Sequence, residues 1–145
     1  MSVAATVTAL QTLHADISGI KSAPTNMPSN LNTAQLPIAL VWPGEAEWQL
    51  AAMGLKRQER TYIVRVFAQP VGQNVTGPDA GYDACVKLLE LFGQAYQDNL
   101  TLAGAVDNIS AVRDSGISGG AMELTWGGVP YWGFVYRVTV VEKTS

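Results

Sequence analysis

Residues 131–143 read YWGFVYRVTVVEK, and residues 60–70, RTYIVRVFAQP, have the same texture: a long apolar run interrupted by one arginine. Side chains alternate between the two sides of a strand. In the later run Trp132, Phe134, Tyr136, Val138 and Val140 fall on one side, with Tyr131, Val135, Arg137, Thr139 and Val141 on the other. In the earlier run Tyr62, Val64, Val66 and Ala68 oppose Thr61, Ile63, Arg65, Phe67 and Gln69. The first set in each run is the predicted core, and each arginine marks the less buried face. That second face is still apolar, because Ile63 and Phe67 flank Arg65, so it too needs a cover.

Working outward, Val3, Val7, Leu10, Leu13, Ile17 and Ile20 recur at helical spacing and predict an amphipathic helix over 2–21, capped by Ser2. SAPTNMPSNLNTAQ, 22–35, has no period and reads as a surface loop. LPIALVWP, 36–43, alternates Ile38, Leu40 and Trp42 against Ala39 and Val41 and predicts a strand. The stretch 44–59, with a turn at Gly54, reads as an extended hairpin arm feeding the strand at 60–69. A loop at 70–81 follows, then a helix capped by Asp79 that runs to Asp98 and stops at Asn99. From Asn108 onward no helical pattern survives: MELTW, a Gly127-Gly128 turn and the closing strand from Pro130 to Glu142 make a hairpin. The order predicts one α+β domain over 1–145, a mostly antiparallel sheet with two helices packed on one face.

The second helix also carries surplus apolar surface. Tyr82, Cys85, Val86, Leu89, Phe92, Gly93 and Tyr96 form one stripe, and Ala84, Leu88, Leu91 and Ala95 a second beside it. Its polar residues fill a sector only about 100° wide. Either the first helix covers the second stripe within the subunit, or a neighbouring subunit does.

Composition points the same way. Charged residues make up 14% of the chain, against a usual ~25%, and hydrophobic residues 48%, which leaves few charges to coat a lone subunit. The 145 residues suffice for one core without metal or disulfide support. A net charge of −3 argues against gripping nucleic acid phosphates. A single cysteine, Cys85, suggests a reducing compartment, and the first residues lack the pattern of a signal peptide, so a soluble protein of cytoplasmic origin is expected.

No catalytic constellation can be assembled. His14, the single histidine, falls on the packed stripe of the first helix and has no metal-binding companion, so a hydrogen-bonded, half-buried side chain is expected. Cys85 falls on the inner stripe, where a small buried hydrophobe is the default. Glu45 and Glu47 are the one close acidic pair, read as part of a solvated loop rather than a cation site. SGISGG, 115–120, lacks the lysine of a phosphate loop and reads as a turn or mobile loop. KRQER, 56–60, reads as a solvated hairpin tip or a contact for an acidic partner.

The sequence resembles the tail terminator (tail completion) proteins of long-tailed bacteriophages. The likeness rests on an N-terminal helix, then LNTAQLPIALVWPGEAEW, RTYIVRVFAQPVGQ, the helix GYDACVKLLELFGQAY and a terminal strand of the YWGFVYRVTVVE kind. The resemblance implies a structural virion protein, not an enzyme, with no cofactor and no metal. It implies a homo-oligomer, a hexameric ring at the head-proximal end of the tail, assembled in the host cytoplasm. Its partners would be the tail tube protein and a head-side connector protein, with DNA only as passing cargo and no membrane contact.

In such a ring, Trp48, Met53 and Arg57 on the arm, together with the loop at 70–79, are the expected contacts with adjacent rings. Phe67 on the sheet and Leu88 and Leu91 on the second helix are expected subunit contacts, and Arg65 and Arg137 either pair with carboxylates across subunits or face the lumen. A head-completion or neck protein is the alternative within the virion. A small-ligand-binding domain, its pocket lined by Trp42, Trp126 and Trp132, is the alternative outside it.

Overall fold

The computed structural model describes residues 3–29, 31, 33–50, 56–71, 80–99, 108–109 and 117–144. Its spine is strand β5, Val129–Thr144, the run that opens the sequence argument. One edge of β5 pairs with β2, Lys56–Pro70, which pairs in turn with β1, Ile38–Leu50. The other edge takes β4, Ile117–Trp126, and the two-residue β3, Asn108–Ile109. Every pairing between these strands is antiparallel. Two helices, α1 over Val3–Ala15 and α2 over Ala80–Asp98, complete the α+β fold.

Local chemistry explains the joints. Gly127 and Gly128 sit at φ of 59° and 82°, the two left-handed positions of a tight hairpin turn between β4 and β5. β2 carries a bulge between Phe67 and Gln69, and Gly133 of β5 lies opposite it. A Cβ on Gly133 would run into the Val66 carbonyl oxygen, so this approach of two backbones requires glycine. The Asn99 side chain caps α2 by donating to the Ala95 carbonyl at 2.8 Å, which is why the helix stops where the sequence suggests.

The first helix is shorter than its apolar spacing predicts. After Ala15 the backbone tightens: the amides of Asp16, Ile17 and Ile20 each bond the carbonyl three residues back, and Gly19 then turns to φ 98°. Ile17 stays buried and Ile20 stays packed on the core, so the spacing identified buried residues but not the helix end. Three stretches that the sequence suggests are tip or loop also fall in strands. KRQER lies within β2 rather than at a solvated tip, with Glu59 buried and Arg60 Nη1 donating to the Gly44 carbonyl at 2.7 Å. Residues 117–120 of the glycine-rich stretch belong to β4, and Glu45 and Glu47 to β1. The caps assigned to Ser2 and Asp79 and the turn at Gly54 lie outside the described residues.

Both helices pack on one face of the sheet. The core between them holds Tyr62, Val64 and Val66 of β2, Phe134, Tyr136, Val138 and Val140 of β5, and Leu10, Leu88, Phe92 and Tyr96 of the helices. This is the alternation expected of both arginine-bearing strands. Phe92 meets Phe134 at 5.2 Å between ring centroids and Tyr96 meets Tyr136 at 5.4 Å, both near-perpendicular. Each fully buried side chain of this size stabilises the fold by about 1.5–3 kcal/mol.

The outer face of the sheet has its own, smaller cluster. Ile38 and Leu40 of β1, Phe67 of β2 and Tyr131 of β5 are buried with Leu36, and Leu31, Trp42, Leu124 and Trp126 pack against them. Leu31 and Leu36 come from the loop before β1, so the chain itself covers part of its second apolar face.

Candidate interaction surface

The buried titratable groups are structural. His14 is fully buried and bonded at both ring nitrogens: Nδ1 to Gln11 Oε1 at 2.8 Å and Nε2 to the Tyr96 hydroxyl at 2.7 Å. Gln11 directs its amide hydrogens to the Pro24 and Ala39 carbonyls, at 2.6 and 2.9 Å. Its oxygen is therefore an acceptor, so His14 carries its proton on Nδ1 and accepts the Tyr96 hydrogen at Nε2. Burial lowers the His14 pKa to about 3 and keeps the ring neutral. The sequence reading had the hydrogen bonds but placed the ring only half inside.

Cys85 is likewise enclosed, its thiol donating to the Gly133 carbonyl at 3.1 Å and pushed by burial up to about 11. Neither group has the exposure a nucleophile or general base requires. Among the described residues no cluster of three His, Cys, Asp or Glu side chains could hold a metal, and no helix is long and apolar enough to cross a membrane.

What remains open is surface, and here the expected contacts separate. Phe67 is 1% exposed, its ring set edge-on to Trp126 and Tyr131 at 5.6 and 5.7 Å, so it belongs to the subunit's own outer cluster and not to an open contact face. Leu88 is 4% exposed and packs over Gly19 just beyond α1. Both are covered mostly from within the chain, and each still lines a surface depression, Phe67 beside Arg65 and Leu88 beside Leu91.

Leu91 is 38% exposed at a depression of about 240 Å³ that it lines with Leu88, Ser18, Gly19, Pro37, Ala84 and Lys87. Arg65 is half-buried and Arg137 exposed, both on the outer face. Trp48 and Arg57 take their places in the hairpin arm, where Trp48 pairs with Gln58, and Arg57 with Gln49 and Lys143. Their side chains, and Met53 altogether, lie outside the described residues.

The open part of the outer face is built from three strands. β1 contributes Trp42, β2 Thr61, Ile63 and Arg65, and β5 Arg137. The Arg65 guanidinium carbon lies 4.6 Å from the centre of the Trp42 ring, a cation–π contact between neighbouring strands. Sequence reasoning missed this pair. Alternation puts both residues on the outer face, but their meeting depends on the β1–β2 register, in which Leu40 opposes Arg65.

The three tryptophans of the ligand-pocket alternative do not converge. Trp42 and Trp126 meet at 6.2 Å on the outer face, whereas Trp132 packs on the core beneath the helices. No protein-family model matches the chain, and no curated protein matches it.

Proposed function

We propose that the protein is a structural subunit of a phage tail, one of six in a ring that caps the tail tube, ends its polymerisation and offers a surface for head–tail joining. The single observation that carries this reading is the half-open outer face of the sheet. Strands β2 and β5 are sealed by helices on one side, yet around Ile63, Arg65 and Arg137 the other side is left partly uncovered. The order of elements that resembles tail terminators supports it, as does the absence of any catalytic grouping from the sequence reading.

A closed ring joins unlike patches, one on each side of every subunit. The Arg65–Arg137 face is one such patch, and the α2 flank around Leu91 and its depression is the second. The hairpin arm of β1 and β2, with Trp48, Met53 and Arg57, is assigned to contacts with the adjacent ring. A cap of this kind adds once because one side of the ring copies the top of the tube while its other side lacks the tube's docking surface. The acidic balance of the chain suits a lumen through which DNA slides without being held.

Electron microscopy and sedimentation velocity of the purified full chain test the assembly, and addition to polymerising tail tube protein tests the activity. Six-membered rings that arrest tube growth are the expected result. A protein that stays monomeric at high concentration and leaves tube length unchanged would refute the reading. A ring that plugs the portal instead of stopping the tube would move the assignment to the head-completion alternative.

A further inference from the structure

The Arg65 side chain stands at a cavity of about 340 Å³ bounded by Phe67, Leu124, Thr125 and Trp126. At this level of the outer face β5 presents Gly133, which opposes Phe67 on β2 and Met122 on β4. Gly133 itself contributes no side chain there, and Leu124 of β4 lies over it. The guanidinium carbon lies 4.6 Å from the Trp42 ring centre, which places the group against that ring. A cation–π contact leaves the N–H edge of the guanidinium to be satisfied by other groups.

Among the described residues no acceptor meets that edge. The acidic side chain nearest along the same strand and face is Glu59, six positions from Arg65 and roughly 20 Å away at ~3.3 Å per residue. Arg137 adds to the demand. It opposes Ile63 while Arg65 opposes Val135, so the two arginines are diagonal neighbours on one face, about 7–8 Å apart. A chain of net charge −3 thus gathers two cations on one face with no described carboxylate between them.

We propose that the Arg65 cavity is a carboxylate-binding site. A guanidinium offers one edge of parallel N–H groups, which a planar carboxylate matches with two oxygens at once. Phe67, Leu124, Thr125 and Trp126 bound the cavity on the sides away from Arg65. A tetrahedral phosphate dianion would need donors from more than one direction. The carboxylate comes either from an Asp or Glu side chain of a second copy of this chain or from a free organic acid. The site rests on the geometry around Arg65 and does not depend on the tail-ring reading.

The test is a titration of the full-length, isotope-labelled protein with sodium benzoate, with benzamide as the neutral isostere and sodium phosphate at matched ionic strength. The Arg65 Nε–H and Trp42 indole resonances are followed. Benzoate should shift both resonances to saturation and benzamide neither, and Arg65→Gln should bind benzoate at least about tenfold more weakly. Arg65→Lys, which keeps the charge but loses the planar edge, should fall between them.

Equal shifts from benzamide, tighter binding of phosphate than of benzoate, or an unchanged affinity in Arg65→Gln would each overturn the site. Should Arg65→Gln fail to fold, the wild-type comparison of benzoate with benzamide decides alone. Sedimentation velocity with and without saturating benzoate separates the sources. Dissociation of the oligomer by benzoate assigns the carboxylate to a second copy, and an unchanged oligomer assigns it to a free acid. Rings that form while benzoate fails to bind would sink the site and leave the ring reading standing.

Discussion

The Tyr96 hydroxyl donates to His14 Nε2 at 2.7 Å, joining α2 to α1 across 82 positions of the chain. The same imidazole holds Gln11, which in turn holds the carbonyls of Pro24 and of Ala39 in β1. One neutral ring therefore ties both helices to the sheet and to the loop that follows α1.

Protonating that ring should loosen the fold. The folded pKa of about 3 lies below the ordinary 6.5, so between those values the unfolded chain binds a proton that the folded chain refuses. Stability should fall as pH drops from about 6.5 towards 3, by about 1.4 kcal/mol per pH unit from this group. Urea midpoints of the wild type and His14→Gln at pH 7.5, 6 and 5 check it. The wild type should lose stability over that range and the variant, lower throughout, should lose less. Parallel curves would show that His14 is not the group titrating.

Cys85 should be silent to thiol reagents in the native protein. Its sulfur is buried, bonds the Gly133 carbonyl and resists ionisation, so modification has to wait for global unfolding. The expected result is one reactive thiol in denaturant and none without it. A native reaction rate that exceeds the unfolding rate would place the thiol at the surface.

The strand faces were legible because the alternation in 60–68 and 131–141 is unbroken, and a period of two leaves no choice of partner side. The cover over the outer face was not legible. It comes from Leu31, isolated in a segment of Pro, Asn, Ser and Thr where no period marks it as buried, and from Leu36, which heads the apolar run 36–43 but lies before β1. The two stripes are present on α2, but Leu88 joins the core close to Gly19 while Leu91 stays at the surface, and the placement of Gly19 depends on a turn after α1 that the apolar spacing runs straight through. The Trp42–Arg65 contact and the separation of Trp132 from Trp126 both depend on strand register, which the alternation alone does not set.

Gly133→Ala should be far more costly than its size suggests. The added methyl would meet the Val66 carbonyl in the middle of the β2–β5 pairing and lie 2.9 Å from Leu124 Cδ1, so the bulge at Phe67–Gln69 would have to open. Losing that register and the Cys85 bond to Gly133 should destabilise the protein by about 3 kcal/mol or more. Thermal unfolding followed by circular dichroism measures it. A variant as stable as wild type would mean that the backbones do not approach so closely. Gly127→Asn, in the open hairpin turn where asparagine tolerates the conformation, should be nearly neutral by comparison.

Leu88 and Leu91, three positions apart on α2, separate folding from assembly. Leu88→Ala removes a buried side chain beneath Gly19 and should cost about 2–5 kcal/mol. Leu91→Asp places a charge where more than a third of the side chain already meets water, so the monomer should keep its stability to within about 0.5 kcal/mol. If the α2 flank is one of the two patches of the ring, that same charge must be desolvated on association, which costs far more than it does on folding. Leu91→Asp should then unfold at the wild-type temperature yet sediment as a smaller species. A variant that melts early would return Leu91 to the subunit core, and one that assembles normally would move the second patch elsewhere.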